Sequence, residues 1–186
     1  VASWIFGETG VGKPRRSPVA ALTGMPRKER KGVIHILPRK LASYSLLGFY
    51  QGSDNEVVQG MASVWNGDVH IMPTQREFVV LATPVSTFHR LRSAYSWKDL
   101  SFIVFDEIHV KDGLVCLLIV YVLDLIRQGS HRTRGVKVLL MTATPNGAAF
   151  SQLESVMDKL GVVAGEVTLT PSESYQRFLR IPLWRV

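Results

Sequence analysis

Apolar residues in this chain fall into two patterns. Short, β-branched or aromatic runs predict strands at Ser3–Phe6, Val33–Leu37, Phe78–Ala82, Phe102–Phe105, Val136–Met141 and Val167–Leu169. Between them lie longer stretches in which apolar residues recur every three or four positions. These predict helices at Lys13–Leu22, Arg39–Gln51, Val85–Ala94, Leu114–Gln128 and Ala148–Leu160. In the last, Phe150, Leu153, Val156, Met157 and Leu160 share one face, and Gly161 stops the helix. In the first, Pro18 falls inside the pattern and works against it. Runs such as Phe102-Ile103-Val104-Phe105 are apolar throughout, as in strands covered on both faces. Strand and helix alternate, so the expected fold is a three-layer α/β domain with a mainly parallel central sheet. Gly52–Gly67 is polar and contains glycine, and reads as a hairpin or an irregular insert. From Pro171 the pattern fades. Residues 1–170 therefore read as one domain, and 171–186 as a tail or linker.

A length of 186 residues suits one domain with a substantial core. The chain opens at Val1 and enters a strand almost at once, which reads as a piece of something longer. Its net charge of +7 is unevenly spread, because residues 1–50 hold nine Lys/Arg against two acids. A basic first quarter suits phosphate-rich partners, nucleotide or nucleic acid. The loop Pro26–Lys31 reads equally as a solvated basic surface. Cys116 is the only cysteine, which rules out a disulfide framework within the chain and favours a reducing, cytoplasmic compartment. The five histidines have no metal-ligand spacing, and no signal-peptide pattern is present. The longest apolar run, Leu114 to Ile126, contains Asp124 and has thirteen residues. A bilayer span needs roughly 20, so this run predicts a buried helix and no membrane segment.

Three strings at strand ends carry candidate chemistry. Gly7-Glu8-Thr9-Gly10-Val11-Gly12-Lys13 follows the apolar run Trp4-Ile5-Phe6 and opens a helix. Strand, bare loop and helix N-terminus make a phosphate cradle. Backbone N–H groups turn inward, and the lysine adds a full positive charge. Pro14 stands where such loops carry the Ser or Thr that ligates Mg²⁺. Proline is sterically tolerated in the first helical turn but supplies no oxygen ligand and no N–H. Ser17 is the next hydroxyl, about one turn further on and too distant to replace it. The loop thus argues for phosphate binding more strongly than for hydrolysis. Asp106-Glu107-Ile108-His109 follows the buried run Phe102-Ile103-Val104-Phe105, at the strand end where an α/β sheet presents a metal site. Leu140-Met141-Thr142-Ala143-Thr144-Pro145 places two hydroxyls at another strand exit. Taken singly, each has a plainer reading: a glycine turn without ligand, a polar loop, an ordinary strand exit.

In this order and context the three strings resemble the first RecA-like domain of a superfamily 2 helicase. More narrowly, they are similar to the DEAH/DExH-box RNA helicases. His35-Ile36-Leu37-Pro38-Arg39-Lys40-Leu41-Ala42 is similar to that family's proline–arginine motif, and Thr83-Pro84-Val85-Ser86-Thr87 to its threonine-containing RNA contact. The resemblance covers roughly residues 3–150, and its wording looks most like helicases of positive-strand RNA virus polyproteins, of the flavivirus, potyvirus or hypovirus type. It implies ATP or another NTP with Mg²⁺ as cofactors. It also implies RNA and a second RecA-like domain as partners, in the cytoplasm of a host if the protein is viral. Gly7, Glu8, Thr9, Gly10, Val11, Gly12, Lys13 and Pro14 would hold the nucleotide. Lys13, Asp106, Glu107 and His109 would be catalytic, with Asp106 and Glu107 managing the metal and the attacking water. Together with His109, Thr142 and Thr144 would couple nucleotide state to RNA grip, and Arg39, Lys40, Thr83 and Thr87 would line the RNA path.

Two other readings compete. One is a non-catalytic RNA-binding or assembly module that kept the fold, supported by Pro14 and opposed by Asp106-Glu107. The other is a phosphate-loop ATPase that handles no nucleic acid, opposed by Pro38-Arg39-Lys40 and the Thr-Ala-Thr string.

Overall fold

Strands buried on both faces pair in parallel, because each return crossing lays a helix over the sheet. That is the architecture here. The structure is a computed structural model and describes residues 2–7, 12–52, 60–71, 75–92, 97–109, 112–129, 133–145 and 147–169. Strands β1 (Ala2–Gly7), β2 (Gly32–Ile36), β3 (Ala62–Trp65), β4 (Phe78–Ala82), β5 (Leu100–Phe105), β6 (Lys137–Thr142) and β7 (Ala164–Leu169) form one sheet. Their order is β3-β4-β2-β5-β6-β1-β7, and each neighbouring pair is parallel. The helices are α1 (Lys13–Thr23), α2 (Lys40–Gln51), α3 (Pro84–Leu91), α4 (Gly113–Arg127) and α5 (Ala148–Lys159).

The strand pleat divides the core in two. Ile34, Ile36, Ile103 and Phe105 face one way, onto Leu118, Ile119 and Val122 of α4 and Leu153 and Met157 of α5. Val33, Phe102, Val104 and Met141 face the other, onto Ala21 and Leu22 of α1 and Leu46 and Tyr50 of α2. Each fully buried large aliphatic or aromatic side chain contributes roughly 1.5–3 kcal/mol, so both layers are needed to hold the sheet. Gly32 pairs in register with Phe78, whose ring lies where a Cβ would stand, 2.0 Å from its nearest atom. Only glycine fits there.

The expected elements are present with ends shifted by a few residues, apart from two points. The stretch read as a hairpin or irregular insert contains β3, a parallel strand on the sheet's edge beside β4. Ala62-Ser63-Val64-Trp65 is too short and mixed to announce itself, and pairing with β4 makes it a strand. A tight turn does follow it, closed by the antiparallel bridge Trp65–His70 and by Asn66 Oδ1, which accepts from Asp68 N and Val69 N. The helix expected over Val85–Ala94 ends at Leu91, and Ser93 and Ala94 lie outside the described residues. The tail at 171–186 also lies outside them.

The helix expected over Lys13–Leu22 forms as α1 despite its internal proline, and runs through Pro18 to Thr23. A proline there removes the donor that would serve the carbonyl four residues back, that of Pro14. The Tyr50 hydroxyl supplies one instead, 3.3 Å from the Pro14 carbonyl and 3.1 Å from that of Arg15. Burial is the main reason the Tyr50 phenol is pushed far above its usual range, and the charge of Asp106 adds to it. It therefore stays a proton donor.

Candidate nucleotide site

Every strand is parallel, so the exits of β1, β5 and β6 open onto the same edge of the sheet. They meet in a cleft of about 330 Å³ lined by Gly12, Lys13, Pro14, Asp106, Glu107, His109 and Thr142, with Arg15 and Ala143. The three strings singled out in sequence thus converge. In volume the cleft falls at the lower end of small-molecule sites.

On one wall, β1 ends at Gly7 and α1 begins at Lys13. Gly12 caps the helix with φ of 82°, a left-handed conformation that favours glycine. Glu8, Thr9, Gly10 and Val11, the middle of the expected cradle, lie outside the described residues. Lys13 is buried, and its ammonium donates to the Gly7 carbonyl, bridging the two ends of the loop. Burial pulls its pKa below the ordinary lysine value, while the nearby charges of Asp106 and Glu107 push back. A desolvated cation facing two carboxylates is well placed to trade its carbonyl contact for a phosphate oxygen. Pro14 occupies the first turn of α1 and lines the cleft, so the position facing it carries no hydroxyl.

Opposite, Asp106 is buried just past β5, and its backbone N–H donates to the Ile36 carbonyl of β2. Glu107 has φ of 53°, a strained conformation for a non-glycine residue and one that clusters at functional sites. The turn folds the Glu107 N–H back onto Asp106 Oδ1, at 2.9 Å, and leaves the Glu107 side chain half exposed at the mouth. The Ile108 N–H donates to the Met141 carbonyl and ties this turn to β6. His109 Nε2 stands 3.9 Å from Glu107 Oε2. Mg²⁺ takes one or two carboxylates and keeps several waters, and this donor set fits it. Thr142 is buried at the end of β6, and its hydroxyl accepts from the Thr144 N–H at 3.2 Å. Thr144 itself is exposed and lies outside the cleft.

The four residues expected on an RNA path are not in this cleft. Arg39 and Lys40 follow β2, and Thr83 follows β4, further along the same sheet edge. Arg39 is exposed as the N-cap of α2. Lys40 is half exposed and paired with Asp68, 2.9 Å away. Thr83 caps α3, and its hydroxyl donates to Ser86 Oγ. Thr87 is a correction. It is fully buried one turn into α3, and its hydroxyl donates to the Thr83 carbonyl. Helical periodicity turns it inward, so it lines no surface path.

Two contributors escaped the sequence reading. Tyr50 supports the phosphate-loop helix from α2. His35, in the middle of β2, is completely buried with Nε2 3.4 Å from Asp106 Oδ2. The signal was a lone imidazole in Val33-Ile34-His35-Ile36-Leu37, a run that otherwise needs only aliphatic residues.

Comparison with solved structures agrees with this fold. The chain is similar to the Pyrococcus furiosus Hef helicase domain, with TM-score 0.59 and 21% identity over 89% of this chain and 35% of that one. It is also similar to the E. coli DExH-box NTPase HrpB, with TM-score 0.69 and 20% identity over 91% of this chain and 19% of that one. The fold is RecA-like. At such identities the likeness establishes the RecA-like fold alone. The chain spans about a third and a fifth of the lengths of these two proteins. No family model and no curated protein matches the sequence. Among the described residues no helix is long and apolar enough to cross a membrane.

Proposed function

We propose that this domain binds a nucleoside triphosphate with Mg²⁺ and is the ATP-binding half of a DExH-type RNA helicase. The observation that carries the reading is the meeting of Lys13 with Asp106 and Glu107 across one cleft, on a RecA-like sheet. Lys13 and the backbone around Gly12 hold the phosphates. Asp106, fixed by the Glu107 N–H, faces the metal, and Glu107 at the mouth orients water. Bound Mg²⁺ would neutralise part of the phosphate charge and so ease attack by that water. Thr142, within the cleft, and Thr144, just outside it, form a short relay from nucleotide to neighbouring surface. Arg39, Lys40 and Thr83, on the same sheet edge, offer a path for the RNA backbone. A second RecA-like domain closing over this edge completes the site, since no arginine but Arg15 reaches the cleft among the described residues.

Lys13→Ala tests the reading. A charge-assisted contact contributes about 1.5–3 kcal/mol, so affinity for a fluorescent ATP analogue should fall by at least tenfold. Equal affinity in the two proteins sinks the assignment. Pro14 favours a second reading, in which the domain grips nucleotide or RNA without turning over.

A further inference from the structure

The opposite edge of the sheet, where strands begin, has a separate charge pattern. The loop before β2 carries Arg27, Lys28, Arg30 and Lys31, Arg76 precedes β4, and Lys98 precedes β5. Arg134 and Lys137 stand at the start of β6. The acids among them are Glu29, Glu77 and Asp99. We propose that this edge is a second RNA-binding face that holds the phosphate backbone of a single strand, remote from the nucleotide cleft.

Three observations support it. First, the loop is built rather than loose. Arg30 donates to the carbonyls of Met25 and Thr23, at 2.9 and 2.7 Å. Arg76 donates to the Lys28 carbonyl, and the Lys31 ammonium to that of Lys98. Ser101 Oγ accepts from the Lys31 N–H and donates to the Glu29 carbonyl. Some of the basic side chains therefore act as struts, and they set the rest in place. Arg27, Lys28 and Lys98 are exposed, and among the described residues their side chains make no hydrogen bond or ion pair. The backbone that carries them is thus held before any ligand arrives, and only their own side chains are left to be ordered on binding.

Second, the charges form a row rather than a pocket. They stand at the starts of β4, β2, β5 and β6, which are consecutive neighbours in the sheet. At about 4.8 Å per strand the row spans roughly 14 Å. That geometry suits a repeating polyanion better than a single phosphate. Third, the face is polar. Among the described residues the large exposed apolar side chains are Leu41, Tyr44, Phe49, Ile71, Val85, Leu114, Leu117 and Val163; none belongs to the row, although Val163 stands on the same edge, just before β7 and two strands beyond β6. A membrane-seated surface would combine basic residues with apolar ones that enter the lipid.

The proposal does not rest on the nucleotide cleft. Its test is fluorescence anisotropy of a labelled uridine oligonucleotide with this chain across a salt series. The triple variant Arg27→Ala, Lys28→Ala, Lys98→Ala removes three contacts and should flatten the log–log salt slope by about 2. It should also weaken binding at low salt roughly tenfold or more. Binding of the fluorescent ATP analogue should be unchanged, because all three residues lie across the sheet from the cleft. The charge-keeping variant Arg27→Lys, Lys28→Arg, Lys98→Arg should retain the parent slope, which separates charge from loop shape. A triple alanine variant with the parent slope overturns the proposal. So does one that binds RNA normally but loses binding to vesicles of anionic phospholipid, since the face then belongs to a membrane. If the parent fails to bind the ATP analogue while the RNA effect persists, the cleft reading falls and this face stands.

Discussion

His35 Nε2 lies 3.4 Å from Asp106 Oδ2, with both side chains inside the domain. Among the described residues neither ring nitrogen of His35 has a hydrogen-bond partner. A buried polar ring without partners costs stability, about 1–3 kcal/mol in mutational series. Here it abuts the carboxylate proposed to face the metal, whose other oxygen accepts from the Glu107 N–H. The pair gains the site a confined carboxylate at the expense of the strand.

From this follows an opposed pair of effects for His35→Leu. The fold should become more stable by about 1 kcal/mol, because leucine fills the place without a desolvated ring. The Mg²⁺-dependent part of nucleotide affinity should fall, because Asp106 loses a neighbour that restrains it. Thermal melts read the first effect, and analogue titrations with Mg²⁺ and with chelator read the second. A gain in stability with no change in magnesium dependence would make His35 a packing residue only.

In the proposed site, Pro14 would leave Mg²⁺ one protein oxygen short. Water fills the vacancy readily, since Mg²⁺ gives up its waters reluctantly. Nucleotide should therefore bind with weak magnesium dependence, and Pro14→Thr should restore that dependence. In a chain carrying a second RecA-like domain, the same change should raise ATP turnover roughly tenfold, which asks for about 1.4 kcal/mol. Phosphate release, measured with and without RNA, decides it. If neither parent nor variant turns over, the non-catalytic reading prevails.

Tyr50 and Pro18 should behave as a coupled pair. Tyr50→Phe removes the donor serving the Pro14 carbonyl and should cost about 1 kcal/mol. In a Pro18→Ala background the helix supplies its own N–H, so the cost should shrink. A double-mutant cycle of denaturant midpoints measures the coupling. Additive effects would show that Tyr50 serves that carbonyl in name only.

Lys13 makes a pH-dependent prediction. Burial lowers its folded-state pKa below 10.5, so the folded chain holds its proton less tightly than the unfolded chain. The cost of burying the charge is full below the folded pKa and fades as pH rises towards 10.5. Lys13→Met should therefore melt higher than the parent near neutral pH. The gap should close as the solution approaches the unfolded lysine pKa, while nucleotide binding is lost throughout. A gap that stays constant with pH would show that the ammonium is not what the fold resists.

Sequence by itself determined the layers and the edge on which the cleft sits. Fully apolar runs such as Phe102–Phe105 are recognisable because a strand covered on both faces tolerates nothing else. Strand–helix alternation makes the sheet parallel, and a parallel sheet brings Gly7, Asp106 and Thr142 to one edge whatever the strand order. Tertiary structure decided which strands are neighbours. It placed β2 against β5, and so His35 beside Asp106, at a separation of seventy-one positions along the chain. It recruited Ala62–Trp65 as an edge strand, brought Tyr50 to the carbonyl that Pro18 leaves unserved, and turned Thr87 inward. Side-chain period tells a residue which face it is on, and local chemistry tells a helix where to stop. Strand order and side-chain partners depend on how helices from distant segments pack over the sheet, and that energy is not written in any one window of sequence.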